Sequence, residues 1–127
     1  MNNGPLPMSL RTAAGEYDYQ MAKYKGTTKQ LHEESVIKEW KHWLLIDNRF
    51  PYTVAFRVHR MLLPRRKVAN LTELSLEEFT ELLTILAGEI NDEYDLWFVN
   101  THKRRSILSH FHIHVATYVL DRKEMSL

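Results

Sequence analysis

His110-Phe111-His112-Ile113-His114-Val115 is the stretch on which the fold turns. Successive side chains of a strand point to opposite faces. An extended chain here therefore sets three imidazoles on one face and Phe111, Ile113 and Val115 on the other. Such a strand has a core side and a chemical side. The strand rise separates neighbouring imidazoles by about 6.7 Å, a gap that one tetrahedral phosphate and its hydrogen-bonding neighbours can span. Imidazole, with an ordinary pKa of about 6.5, serves as nucleophile, acid or base near neutrality. Packing alone gives little reason to repeat it, since clustered imidazoles repel one another once protonated and displace hydrocarbon. Besides a purely structural triplet, the residues leave two readings open. One is a row that works on phosphate. The other is a metal site, because His at i and i+2 can ligate zinc. The nearest acid downstream, Asp121, follows the strand rather than lying in it. His32 and His42 stand apart and read as structural or solvent-facing.

Working outward, residues 107–120 read as one strand and Leu96-Trp97-Phe98-Val99-Asn100 as another. Ser75 and Glu78 form a capping box, with Leu74 and Phe79 at the positions of a hydrophobic staple, which marks a helix start worth about 1 kcal/mol. Leu76, Phe79, Leu82, Leu83, Leu86 and Ile90 recur every three or four residues, predicting one long helix that buries a stripe on a sheet. Residues 53–63, rich in β-branched and aromatic side chains and closed by Pro64, hold one long strand or two short ones. Trp43-Leu44-Leu45-Ile46 ends at the turn-favouring Asp47-Asn48 and reads as the first strand. Two helices are expected before it, about 13–25 and about 28–42, separated by Gly26-Thr27; Leu31, Val36, Ile37 and Trp40 supply the spacing in the second. Residues 1–12, with two prolines and one glycine, read as a mobile arm without an assigned role, ahead of a single domain over 13–127. Antiparallel strands around one long helix, with no βαβ repeat, give an α+β class: about five strands, the long helix and an additional N-terminal helix.

The chain has 127 residues, 44% of them hydrophobic, which suits one core and one domain. It contains no cysteine, so disulfides, thiolate nucleophiles and cysteine-ligated metals are excluded. Seventeen basic against 16 acidic residues leave a formal charge of +1, too little to wrap long nucleic acid. Neither a membrane span nor a signal sequence is legible, so the expectation is a soluble, cytoplasmic protein.

The run from His110 to Ala116 resembles the His-x-His-x-His-x-x signature of the histidine-triad superfamily of nucleotide hydrolases and transferases. A second block matches in order: the strand at Trp43, then Asn48, Pro51, His59, Met61-Leu62-Leu63-Pro64 and Arg65-Arg66-Lys67. The capped helix and the strand ending in Asn100 follow, so the resemblance covers about residues 43–118. It implies a metal-free, cofactor-free, two-step reaction on a nucleotide or nucleoside-phosphate adduct. His112 attacks the α-phosphorus to form a nucleotidyl-histidine, His114 contacts the phosphate and assists the leaving group, His110 orients the nucleophile, and His59 is the fourth histidine. It further implies nucleotide contacts from Asn48, Asn100, Ser106, Arg104 and Arg105, a base pocket lined by Leu45, Ile46 and Leu62, and a homodimer. The family's glycine-rich loop before the triad is replaced by Asn100–Ser109, which has no glycine and carries Lys103, Arg104 and Arg105. Those cations can serve a developing oxyanion. Two alternatives remain: a nucleotide-binding module with impaired turnover, and a metal-dependent hydrolase using the same histidines.

Overall fold

Whether the region before Trp43 is helical throughout decides what edges the sheet, and it is not. The computed structural model describes residues 10–101, 107 and 109–120. Helix α1 (Ala13–Lys25) forms where expected, its N-terminus capped by the Thr12 hydroxyl, which accepts from the Gly15 amide. It stops at Gly26, whose φ of 70° is the left-handed conformation that glycine adopts without strain. The second expected helix, about 28–42, is replaced by a 3₁₀ turn (Leu31–Glu33) and strand β1 (Val36–Glu39). Every residue of β1 is exposed, so this edge strand lacks the one-sided burial that period-two patterning reports.

Strands β2 (Trp43–Asp47), β3 (Phe56–Pro64), β4 (Leu96–Phe98) and β5 (Ile113–Tyr118) complete an antiparallel five-stranded sheet in the order β1-β2-β3-β5-β4. Residues 53–63 thus yield one strand, which extends to Pro64. The histidine strand is shorter than the expected 107–120. Its last pairing with β3 is Ile113 with Leu62, and residues 109–112 run on outside the ladder. Val68, beyond β3, and Pro64, at its end, hold that run, since the Phe111 amide donates to the Val68 carbonyl at 2.6 Å and the Pro64 carbonyl accepts from the His110 ring. The alternation nevertheless continues through it: Phe111, Ile113 and Val115 are all at most 1% exposed in one core cluster.

Helix α2 (Leu76–Ile85) starts at the capping box, with the Ser75 hydroxyl accepting from the Glu78 amide and the Glu78 carboxylate from the Ser75 amide. It continues through a π-helical turn (Leu86–Ile90) into Asn91–Glu93. The wider turn spaces Ile85 and Ile90 five apart while both stay buried. Of the expected stripe, Leu82, Leu86 and Ile90 enter the core with Ile85, whereas Leu76, Phe79 and Leu83 face outward.

Register sorts the sheet into two faces. Trp43, Leu45, Leu62, Ile113 and Val115 pack under α2. Leu44, Ile46, Met61 and Leu63 form the opposite face with Leu31, and the ladder puts His59 and His114 on that same face. No described helix is long and apolar enough to cross a membrane.

Candidate active site

Beneath α1, on the sheet face away from α2, lies a cavity of about 240 Å³ whose lining includes His110, His112, His114, Asn48, Asn100 and Met61. Strand pleating delivers His114 from β5 beside Met61 of β3, with His59 two positions along β3 on the same face. All four histidines are buried, from 3% to 7% exposed.

The hydrogen bonds settle which nitrogen of each ring carries a proton. The Tyr52 amide donates to His59 Nδ1 at 2.9 Å, so the His59 proton sits on Nε2. From there it is donated to His114 Nδ1 at 2.8 Å, which puts the His114 proton on its Nε2, 3.4 Å from the Asn100 amide. That side-chain nitrogen of Asn100 also donates to the Tyr52 hydroxyl at 3.3 Å. Burial, reinforced by the Arg11 charge and by His112 whenever that ring is protonated, pushes His59 down to about 4. Burial, then His112, His59 and Arg11, push His114 down to about 2. Both rings are therefore neutral at physiological pH. Aromatic neighbours hold them: Phe98 stacks on His114 at 4.7 Å with planes 8° apart, and Tyr52 lies 4.4 Å from His59 and 5.3 Å from His114.

His112 is held differently. Its Nδ1 lies 3.0 Å from the His110 carbonyl, which can only accept, so Nδ1 bears the proton and Nε2 the lone pair. His110 Nε2 in turn donates to the Pro64 carbonyl at 2.9 Å, anchoring that carbonyl-bearing residue to the end of β3. The rings of His112 and His114 meet edge to face at 5.0 Å.

Asn48 lines the cavity but also braces the β2–β3 connection: its Oδ1 accepts from the Phe50 amide at 2.9 Å, and its amide nitrogen lies 3.2 Å from His59 Nδ1. Leu45, Ile46 and Leu62, expected at a base pocket, are not among the residues that line this cavity. Leu45 and Leu62 pair across β2 and β3 on the α2 face, sealed in the core and turned away from the histidines. Ile46 shares the histidine face but is wholly covered, packed with Leu31, Met61 and Leu63. Ser106, Arg104 and Arg105, with Lys103, lie outside the described residues. Sequence reasoning missed Arg11, Tyr19, Lys23, Tyr52 and Phe98; only the aromatic content near the strands hinted at the last two. Among the described residues, no group of three or more His, Asp or Glu is arranged to hold a metal ion.

No family model matches the sequence, and no curated protein matches it. Among solved structures, a hypothetical protein from Leishmania major is similar in fold at 19% identity and a TM-score of 0.53, over 83% of this chain and 74% of that one. A HIT family hydrolase from Clostridium thermocellum aligns at 18% identity and a TM-score of 0.49, over 82% and 91% of the two chains. One from Legionella pneumophila aligns at 17% and 0.47, over 73% and 85%.

Proposed function

We propose that this protein is a nucleotide hydrolase or nucleotidyl transferase of the histidine-triad kind, working through a covalent intermediate on His112. The observation that carries the reading is the 3.0 Å contact between His112 Nδ1 and the His110 carbonyl, which leaves Nε2 with the lone pair in a ring that lines the cavity. Attack by Nε2 on the α-phosphorus forms an N–P bond and breaks the bond to the leaving group, which departs with its electron pair and takes a proton from water, returned to solvent when water attacks in the second step. The positive charge gained by the ring strengthens its bond to the His110 carbonyl. His114 presents an Nε2 proton to a phosphoryl or leaving-group atom as a neutral donor, since its imidazolium form is suppressed. Water or another acceptor then attacks phosphorus, the N–P bond breaks, and the lone pair returns to Nε2.

The test is turnover of an adenosine phosphoramidate and a diadenosine polyphosphate at neutral pH with chelator present, with intact mass measured after an alkaline denaturing quench. The expected result is nucleotide release and a single nucleotidyl adduct, with both absent in His112→Asn. A wild-type protein no more active than that variant overturns the reading. The glycine-free segment Asn100–Ser109 favours a second reading, a nucleotide-binding module without turnover. Calorimetric binding of AMP in the absence of any adduct would select it.

A further inference from the structure

We propose that Arg11 is a fixed cation of this cavity, a binding residue that seats the charged phosphate of a nucleotide beside His112 and brings the segment before α1 into the working site. This rests on the nucleotide reading above.

Arg11 precedes the Thr12 cap of α1, in a segment tied down across the β2–β3 connection: the Leu10 carbonyl accepts from the Val54 amide at 3.0 Å. Its own Nε donates to the Phe50 carbonyl at 2.8 Å, and Nη1 lies 3.4 Å from the Glu16 carboxylate. The guanidinium carbon sits 4.2 Å from the Tyr19 ring centre and 4.9 Å from that of Tyr52. These contacts fix the plane of the fork, and the side chain is only 8% exposed. It nonetheless lines the same cavity as His110, His112 and His114.

Charge explains why that placement matters. With His59 and His114 neutral, the relay offers a phosphate the single His114 Nε2–H but no net charge. The cavity's charged lining among the described residues is Arg11, Lys23, Lys29 and Arg49 against Glu34. Lys23, Lys29 and Arg49 are exposed, so solvent screens them, and Arg11 is the buried cation of the set. A planar, permanently charged fork held in place matches phosphate oxygens at low ordering cost. Its field already reaches the relay, since it helps to hold both His59 and His114 unprotonated. A residue serving only to tie the Phe50 loop to α1 would have no need to face this cavity.

The experiment is calorimetry with AMP, inorganic phosphate and adenosine on wild type, Arg11→Met and Arg11→Lys, with thermal unfolding as the control for folding. In ¹⁵N-labelled wild type, the Arg11 Nε–H resonance is followed during the same titrations. Arg11→Met is expected to weaken AMP and phosphate about tenfold or more with adenosine unchanged, and Arg11→Lys, which keeps the charge without the planar fork, to recover only part of that affinity. The Arg11 resonance should move with AMP and stay with adenosine. A folded Arg11→Met that binds AMP like wild type, or that loses adenosine equally, overturns the proposal. So does an Arg11 signal unmoved at saturating AMP, which decides the matter even if the methionine variant fails to fold. Wild type that binds neither AMP nor phosphate overturns it too. Arg11-dependent AMP binding without a His112 adduct removes turnover and leaves this inference standing; an adduct formed with affinity indifferent to Arg11 does the reverse.

Discussion

His59 and His114 occupy a folded environment that suits only their neutral rings, and this makes stability depend on acid. Their folded pKa values lie below the ordinary 6.5, at about 4 and about 2. As pH falls below about 6.5 the unfolded chain takes up protons that the folded chain refuses, so stability declines towards the folded values. His59 alone accounts for a loss on the order of 3 kcal/mol between pH 7.5 and pH 4, and His114 acts in the same direction. Denaturant unfolding at the two pH values checks this: wild type should lose stability, and His59→Asn should lose less. A wild-type curve flat across that range contradicts the neutrality of the two buried rings in the folded chain. At this scale the triad was legible because its chemistry is written in consecutive alternating residues. Arg11 was not, because its seat is made by Phe50, 39 positions away, and no local pattern encodes that contact.

Helix α2 shows what local chemistry encodes well. Ser75 and Glu78 cap each other as their spacing demands, but Glu78 does more than close a box. Its carboxylate is also paired with Arg66 at 2.8 Å, which holds it down at about 2, and its carbonyl accepts from the Trp43 indole at 2.8 Å. Ser75→Ala should cost about 1 kcal/mol. Glu78→Ala should cost about 2 to 3 kcal/mol, because the Ser75 amide and the guanidinium lose a buried acceptor together. Arg66→Ala should cost less than Glu78→Ala, since the Arg66 side chain is 55% exposed and its charge is solvated. Chemical denaturation of the three variants gives the order. The apolar spacing of α2 was read correctly as helical, yet Leu76, Phe79 and Leu83 point outward, because periodicity identifies a stripe without saying how wide the buried part is. Strand β1 escaped for the converse reason: with all four residues exposed, nothing in Val36–Glu39 alternates between core and water.

At the scale of the molecule, the unpartnered apolar surface bears on assembly. Leu76, Phe79 and Leu83 are 81%, 42% and 53% exposed on α2. Trp97, on the edge strand β4, is 50% exposed and shares the α2 side of the sheet, because it pairs with the core residue Val115. We expect two copies to associate through this side, opposite the cavity. Sedimentation should show a dimer that Leu83→Asp converts to monomer while AMP binding is kept; a monomeric wild type at tens of micromolar contradicts the expectation. The back of the histidine relay carries a different consequence. It ends on the peptide N–H of Tyr52, a group far too weakly acidic to hand its proton to an imidazole, so the wire is blind at that end. Its other end, His114, lines the cavity, which makes the cavity the route by which protons reach these rings. A bound ligand that plugs the opening should therefore slow deuterium uptake at the His59 ring, making that ring an internal clock for occupancy.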